Sequence, residues 1–365
     1  MYFAPMVRLQ QLSLVQFRNY VQKEFVFTGR IVGIVGPNGT GKTNILDAVY
    51  YLSFTKSYFN RPDAQNVNHA YEGMRVEGNY EINGLEIPIT CILRESLKKE
   101  FYFDQEPYAK LSQHIGKIPC VMIAPDDVQI ITGSSEERRK LMDSLLSQMH
   151  PNYLKHLIQY NKVLVQRNSL LKNAVEAGIL DAVLLETINE QLIENGNVIY
   201  AYRQSLIQQY LPAMLSLYQH IAGQKDEIDI HYQSQLHQDK FENLLNQSLS
   251  KDQILQRTNV GIHKDDLIIT IQGQPFKQEA SQGQRKSLLF AIRLAEWNLI
   301  KENKGFSPIL LMDDIFEKLD EQRMIQLLDW VSHNTDGQVF ITDTHRERIA
   351  EILGKHLNSY QLIEL

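Results

Sequence analysis

An apolar segment that runs directly into a glycine-rich loop constrains this chain more than any other feature. Ile31–Val35 reads as a buried strand, and residues 36–43 fit the pattern G-x-x-x-x-G-K-[ST]. The glycines allow backbone N–H groups to face phosphate oxygens at the start of a helix. Apolar residues at helical spacing follow, from Ile45 to Leu52, so the helix also packs against a core. Strand, loop and helix together predict a nucleotide-binding P-loop.

The predicted nucleotide contacts come from the loop and the first helical turn. Lys42 supplies a charge for the β- and γ-phosphates, and the Thr43 hydroxyl is a ligand for Mg²⁺. ATP and Mg²⁺ are therefore the predicted cofactors. The predicted nucleotide-binding residues are Gly36, Pro37, Asn38, Gly39, Thr40, Gly41, Lys42, Thr43 and Asn44.

A second apolar run ends in two adjacent carboxylates. Pro308 to Met312 predict a buried strand, and Asp313 and Asp314 follow at its end, which is the form of a Walker B motif. Asp313 is expected to hold Mg²⁺ together with Thr43. Asp314 is expected to orient or deprotonate the attacking water. Such a pair alone is often a solvated strand end, but beside a P-loop it predicts an ATPase site with Lys42, Asp313 and Asp314 as catalytic residues.

A short polar segment precedes the amphipathic helix that leads to this second strand. It consists of Ser281, Gln282, Gly283 and Gln284, which by themselves would be no more than a helix cap. Placed before Asp313, they resemble the signature loop of the ATP-binding-cassette (ABC) ATPases. Glu317–Asp320 resembles the D-loop of that class, with Asp320 as its acid. The long stretch between P-loop and signature resembles chromosome-maintenance ATPases, which insert an arm there, more than compact transporter cassettes.

The order of patterns predicts an α/β fold in which an ABC-type P-loop ATPase head is assembled from both chain ends. The predicted domains are 1–133 for the N-terminal part of the head, 134–256 for a mostly helical inserted arm, and 257–365 for the C-terminal part with signature and Walker B strand. Ser134 is expected to start the helical region. Breaks are expected near Pro151 and Gly178, and Pro212 is expected to end or kink a helix.

Composition limits the compartment and the mode of DNA binding. The two cysteines, Cys91 and Cys120, fit no metal spacing and are expected to be reduced core residues, which favours the cytoplasm. No run has the length of a membrane span, and the start lacks a signal-peptide pattern. The net charge of −6 argues against a generally basic surface, so any DNA contact must come from local patches.

A chain of further motifs gives the sequence a family resemblance. Phe17–Tyr20 reads F-R-N-Y, Lys56–Tyr58 follows the P-loop helix, and Ala124–Asp127, Arg138–Asp143 and Gly261–Leu267 come later in order. From about Met6 onward the chain resembles the RecF family of bacterial recombinational-repair proteins. Ile262 and Lys264 depart from the family pattern, which usually has proline and arginine there.

The resemblance implies a head-to-tail homodimer that forms when ATP is bound. Ser281 and Gly283 of one copy would close on the γ-phosphate held by Lys42 of the other copy. The dimer would clamp duplex DNA at single-strand gaps and, with RecR and RecO, help to load the strand-exchange recombinase. Slow hydrolysis at Asp314 would release it, and no membrane partner is implied.

Several assignments remain open from the sequence. Plausible phosphate contacts are Lys56, Arg61, Arg138, Arg139, Lys140, Lys162, Arg167 and Lys172. Arg138, Arg139 and Lys140 follow two glutamates and fit a self-paired helix face equally well. His263 fits a structural histidine better than a metal or acid–base group. Phe17 and Tyr20 border the adenine or belong to the core. The switch residue is Asp343, Thr344 or His345, and residues 1–5 precede the usual family start.

Three rival interpretations belong to other functional classes. A transporter cassette needs a membrane partner, and the long insertion speaks against it. A scaffold that binds ATP without hydrolysing it is less favoured because Lys42, Thr43, Asp313 and Asp314 are intact. A metabolic P-loop kinase would have no use for Ser281–Gly283. The resting oligomeric state, the preferred DNA structure and the surface for RecR are not determined by the sequence.

Overall fold

The chain forms two compact units that are interleaved in sequence. The computed structural model describes residues 7–223, 226–315, 321–356 and 359–365. The first unit comprises Met1–Asp127, Ser216–Lys225 and Lys286–Leu365, and the second comprises Val128–Leu215 and Asp226–Arg285. The first unit is thus assembled from both ends of the chain, with the second inserted between them.

The unit boundaries differ from the predicted domain boundaries. The N-terminal segment of the first unit ends at Asp127 rather than at residue 133. The second unit continues to Arg285 rather than ending at residue 256. The reason for the second difference is strand pairing, because a strand at 228–233 pairs with one at 266–271 across the predicted boundary. The division by function at 133/134 and 256/257 stays a prediction.

The described residues contain strands and helices with the following bounds. The strands are β1 (Val7–Phe17), β2 (Tyr20–Val26), β3 (Ile31–Val35), β4 (Met74–Ile82), β5 (Leu85–Leu93), β6 (Lys99–Phe103), β7 (Glu106–Pro107), β8 (Cys120–Ile123), β9 (Ile228–Gln233), β10 (Asp266–Ile271), β11 (Gln274–Pro275), β12 (Ile309–Met312), β13 (Val339–Asp343) and β14 (Gln361–Glu364). The helices are α1 (Lys42–Phe54), α2 (Gln129–Thr132), α3 (Ser135–Met149), α4 (Pro151–Ala177), α5 (Ala182–Ala222), α6 (Phe241–Leu255), α7 (Phe276–Glu279), α8 (Gln282–Lys304), α9 (Glu321–Asn334) and α10 (Arg346–His356).

A parallel sheet in the order β14-β3-β13-β12-β8 forms the centre of the first unit. Every residue of β3, β8, β12 and β13 is buried. Parallel strands covered on both faces are continuous apolar runs, which is why these segments are apolar without alternation. Since all strands point the same way, the ends of β3, β12 and β13 lie at one edge of the sheet. Ligands of open α/β sheets bind at this carboxyl edge.

The first unit also contains an antiparallel sheet in the order β2-β1-β4-β5-β6-β7. Its strands β4 and β5 are joined at Asn83 and Gly84, which have φ values of 54° and 79°. Positive φ at both positions is the conformation of a tight hairpin turn, as the Asn-Gly pair predicts.

The second unit is mostly helical, and its helix boundaries follow the sequence signals closely. The Ser134 side chain accepts a hydrogen bond from the Glu136 N–H at the start of α3, and Gly178 follows α4 with a φ of 71°. Pro212 does not end a helix, because α5 continues through it; the alternative expectation of a kink stays a prediction. Tyr210 and Met214, on either side of this proline, are buried, and such packing outweighs one lost backbone hydrogen bond. Within the described residues, none of the helices combines the length and apolar character that crossing a bilayer requires.

Candidate nucleotide-binding site

The predicted P-loop connects β3 to α1 at the carboxyl edge of the parallel sheet. β3 ends at Val35 and α1 begins at Lys42, so the loop glycines lie directly before the helix N-terminus. Gly41 has a φ of 105°, and a Cβ built on it would come within 2.5 Å of the Asn19 side chain. Only glycine fits this position. The backbone therefore has the form that presents N–H groups to an anion.

The residues between β1 and β2 hold the P-loop from one side. Asn19 Nδ2 donates to the carbonyl of Thr40 at 3.0 Å, and the Tyr20 hydroxyl donates to the carbonyl of Gly41 at 3.2 Å. Asn44 Nδ2 donates to Asn19 Oδ1 at 2.7 Å. Phe17 is fully buried and belongs to the core. Sequence reasoning quoted Asn19 within a family motif but missed its contact with the P-loop, since nothing local indicates it.

Lys42 lies over the loop that it follows. Its ammonium donates to the carbonyl oxygens of Gly36 at 2.8 Å and Pro37 at 3.1 Å. Lys42 is 4% exposed, so the charge is held within the loop and not in solvent. A phosphate bound to the loop would meet this ammonium directly.

Thr43 and Asp313 meet although they are far apart in sequence. The Thr43 hydroxyl lies 3.0 Å from Asp313 Oδ1 and 2.9 Å from Asp313 Oδ2. The contact arises because Asp313 follows β12, separated from β3 in the parallel sheet only by β13. The tertiary structure thus brings together the two predicted Mg²⁺ ligands.

Burial makes Asp313 a weaker acid than usual. It raises the pKa of Asp313 to about 6, hydrogen bonds from Thr342 and Thr43 act in the opposite direction, and the charge of Asp314 adds to the increase. A carboxylate that is difficult to ionise when alone is stabilised by a nearby cation.

The oxygen donors at this position fit Mg²⁺. Among the described residues no group of three or more His, Cys, Asp or Glu side chains could form a metal cage of protein ligands alone. Mg²⁺ usually binds through one or two carboxylates, with substrate phosphates and waters completing its shell. The Thr43 hydroxyl and the Asp313 carboxylate match that requirement.

Asp314 has an unusual backbone conformation. Its φ is 44°, in the left-handed region that side-chain-bearing residues seldom adopt. Such a conformation costs about 1–3 kcal/mol and occurs mainly at functional sites. The Asp314 N–H donates to the Thr342 hydroxyl at 2.9 Å, which holds this turn against the end of β13.

The predicted signature residues form the start of α8 in the second unit. The Gln284 N–H donates to Ser281 Oγ at 3.2 Å, and the Ser281 N–H donates to Gln284 Oε1 at 2.8 Å. This reciprocal pair is a capping box. Ser281 and Gln282 are exposed, and Gly283 is half-buried. The helix N-terminus is thus accessible, whereas its predicted contact with a nucleotide in another copy stays a prediction.

The remaining loops of the ATPase pattern are described only in part. Glu317–Asp320, with the predicted D-loop acid, lies outside the described residues. Of the three switch candidates, Asp343 is buried and accepts two hydrogen bonds from Arg348, at 2.6 and 3.0 Å, and one from the His345 N–H. The Asp343 carboxylate therefore binds the first turns of α10. The choice among Asp343, Thr344 and His345 stays open.

The predicted DNA contacts divide into two groups. Lys56 and Arg61 are exposed in the segment after α1. In α3, Arg138 forms a two-pronged ion pair with Asp266, and Arg139 donates to the carbonyl of Asp265 at 2.7 Å. Lys140 pairs with Glu136 and Glu137 on the same helix. A DNA phosphate would have to compete with these partners.

One of the plausible DNA contacts, Arg167, has a structural role instead, and so does His263. The Arg167 side chain is 0% exposed and is paired with Asp252, so it does not face solvent. His263 Nδ1 lies 2.8 Å from the Tyr160 hydroxyl, and its Nε2 lies 3.1 Å from the carbonyl of Thr258. Burial lowers the pKa of His263 to about 4. This histidine is structural, as predicted.

The two cysteines, Cys91 and Cys120, are buried free thiols.

Comparison with known proteins gives a consistent result over the full length. The family model described as "RecF/RecN/SMC N terminal domain" matches residues 8–361. A protein of Parabacteroides distasonis named "DNA replication and repair protein RecF" is 42% identical over 98% of this chain and 97% of its own. The chain belongs to the RecF family.

Solved structures agree with this membership. A structure described as "Structure of the recombination mediator protein RecF-ATPrS in RecFOR pathway" has a TM-score of 0.89 and 26% identity, covering 100% of this chain and 98% of that one. The Smc head domain of Pyrococcus furiosus has a TM-score of 0.56 and 16% identity, over 98% of this chain and 93% of that chain, which shows a shared fold alone. The predicted ABC-type ATPase head with an inserted arm is confirmed for this RecF-family chain.

Proposed function

We propose that this protein is a cytoplasmic ATP-dependent DNA-binding protein of recombinational repair and replication-fork maintenance. The observation that carries the proposal is the meeting of Thr43 and Asp313, which joins the P-loop to the Walker B strand over 270 residues. The similarity to a solved structure of a RecF protein of the RecFOR pathway supports the biological setting.

The catalytic proposal assigns a role to each group at the sheet edge. Lys42 and the loop N–H groups bind the phosphates, and Thr43 and Asp313 hold Mg²⁺. When bound, that cation neutralises charge on the β- and γ-phosphates. Asp314 orients the attacking water from its fixed turn. Hydrolysis is slow, because its role is to release a clamp rather than to supply a metabolic flux.

The assembly proposal is a homodimer that forms around two ATP molecules. The accessible N-terminus of α8, with Ser281 and Gly283, closes on the γ-phosphate bound to the other copy. ATP then contributes to the interface, and its affinity for the dimer drives association by mass action. The dimer binds duplex DNA next to single-strand gaps and acts with RecR and RecO there. Lys56 and Arg61, both exposed, are proposed contacts to the DNA phosphates.

The first test is molar mass by light scattering without nucleotide, with ADP, and with ATP plus Mg²⁺. Each measurement is repeated with a fluorescent gapped duplex. The expected result is that the protein dimerises and retains DNA only in the presence of ATP plus Mg²⁺. Lys42→Met is expected to do neither. A monomer under all conditions would contradict the clamp and favour the transporter-like or scaffold alternatives.

A matched pair of serine variants tests the signature. Ser281 and Ser134 are both exposed helix caps in the second unit, with hydrogen bonds of 3.2 and 3.3 Å to backbone N–H groups. Alanine at either position costs a similar amount of helix stability, about 1 kcal/mol. Ser281→Ala is expected to lose ATP-driven dimerisation while Ser134→Ala retains it. Dimerisation of Ser281→Ala at the wild-type ATP concentration would overturn the sandwich model.

A further inference from the structure

Thr342, the fourth residue of β13, contacts both acids of the Walker B pair. Its hydroxyl donates to Asp313 Oδ1 at 2.8 Å and accepts from the Asp314 N–H at 2.9 Å. Thr342 is completely buried. One hydroxyl thus uses its single donor on the Asp313 carboxylate and an acceptor site on the backbone of Asp314.

The contact with Asp313 fixes the direction of its carboxylate. Oδ1 receives hydrogen bonds from two sides, from Thr43 at 3.0 Å and from Thr342 at 2.8 Å. Thr43, on α1, is itself a proposed metal ligand. Thr342, on β13, is not one. A group that donates a hydrogen bond to a metal-binding carboxylate, without binding the metal itself, orients that carboxylate toward the metal.

The contact with Asp314 holds the next residue in its turn. The φ of 44° at Asp314 is unfavourable for a residue with a side chain, so it needs support from its surroundings. The hydrogen bond from the Asp314 N–H to Thr342 supplies such support, because it ties this turn to the buried strand β13. Register makes the arrangement possible, since Met312 is paired with Ile341 between the parallel strands β12 and β13.

We propose that Thr342 is a positioning residue of the ATPase site, which sets the metal ligand Asp313 and the water-orienting Asp314 relative to one another. The proposal rests on the function proposed above. It assigns to Thr342 a role separate from that of the switch candidates Asp343, Thr344 and His345, which follow it in the sequence.

The test compares Thr342→Val, which keeps the shape and removes the hydroxyl, with Thr342→Ser, which keeps the hydroxyl. Thr335→Val is the matched control, because Thr335 is a buried threonine of the same unit whose hydroxyl donates to the carbonyl of Val331. Binding of a fluorescent ATP analogue is measured in EDTA and as a function of Mg²⁺ concentration, followed by steady-state ATP hydrolysis.

The expected result separates metal positioning from loss of structure. In EDTA all variants bind the analogue as wild type does. Thr342→Val needs about tenfold more Mg²⁺ for the same gain in affinity, and its kcat falls about 10–100-fold with little change in KM. Thr342→Ser restores both values, and Thr335→Val leaves both unchanged. If Thr342→Val lowers the melting temperature more than Thr335→Val does, Thr342→Ala replaces it in the same comparison.

Each contrary result has a distinct meaning. A wild-type Mg²⁺ requirement in the variants without the hydroxyl would overturn the proposal while leaving the proposed function intact. Failure of Thr342→Ser to restore binding, or an equal loss in Thr335→Val, would also overturn it, since both indicate a packing effect. If wild type itself gains no affinity from Mg²⁺, the proposed function fails first.

Discussion

At the scale of single residues, Arg18 shows how a buried charge is stabilised beside the P-loop. Its side chain is 5% exposed and that of Asp47 is 0% exposed, and the two form an ion pair. Arg18 also donates to Asn44 Oδ1 at 2.7 Å and to Ser57 Oγ at 3.0 Å. Burial raises the pKa of Asp47, and the guanidinium opposes that change. Arg18 thus joins Asn44, in the first turn of α1, to a carboxylate that needs a cation.

Arg18→Ala is expected to destabilise the first unit by about 3–5 kcal/mol, because Asp47 would be left buried without its partner. Arg75→Ala is the control, since its pair with Glu77 is about half exposed on the arginine side and contributes about 0–1 kcal/mol. Urea unfolding followed by tryptophan fluorescence measures both, because Trp297 and Trp330 lie in the first unit and contact each other. Equal losses in the two variants would contradict the prediction.

At the scale of elements, one buried cluster connects three segments of the first unit. Tyr58 follows α1, Asp127 follows β8, and Arg293 and Glu296 lie on α8. Arg293 donates to the Tyr58 hydroxyl at 2.5 Å and to Glu296 Oε2 at 2.9 Å, and it lies 3.1 Å from Asp127 Oδ1. One guanidinium therefore pairs with two buried carboxylates.

Removal of the cation is expected to cost more than removal of the hydroxyl. Arg293→Met leaves Asp127 and Glu296 without a positive charge, so a loss of about 3–5 kcal/mol is expected. Tyr58→Phe leaves the Arg293–Asp127 pair in place and should cost about 1–2 kcal/mol. The double variant should lose less than the two single losses combined, because the residues share one cluster. Additive losses in urea unfolding would contradict the shared cluster.

At the scale of the whole molecule, a buried histidine makes stability depend on pH. His114 Nε2 lies 2.6 Å from the carbonyl of Leu52, and its ring contacts Phe101. Burial lowers the pKa of His114 to about 4. The unfolded chain binds the proton at about 6.5, so acid favours unfolding. The contribution of neutral His114 to the free energy of unfolding is complete above pH 6.5 and is lost as the pH falls toward 4.

The wild type is expected to lose about 2 kcal/mol more than His114→Gln when the pH is lowered from 7 to 5. The difference between the two proteins isolates His114, because other titrating groups contribute equally to both. His69→Gln, at an exposed histidine of the same unit, serves as the control. The measurement is urea unfolding at the two pH values. An identical pH dependence in wild type and His114→Gln would show that His114 does not carry the effect.

Local patterns are sufficient to predict the residue types of the site but not which residues from distant parts of the chain come into contact. A P-loop needs particular residue types within eight positions, so Gly36 to Thr43 could be recognised without any tertiary information. The unit boundary at Arg285 could not, because it depends on β9 pairing with β10 across some thirty intervening residues. That α5 continues through Pro212 has a related reason, since packing of its neighbours outweighs local propensity.

The sequence by itself determined the family, the order of the ATPase motifs and the residue types proposed to bind phosphate and metal, because these depend on contiguous patterns and spacing. Only the tertiary structure decided that Asp313 meets Thr43, that Thr342 holds both acids, and that Arg138 is paired with Asp266. Each of these contacts depends on which strands and helices become neighbours. Which elements become neighbours is decided by burial of the whole apolar core. No short segment contributes enough to that burial for the neighbours to be predicted from it alone.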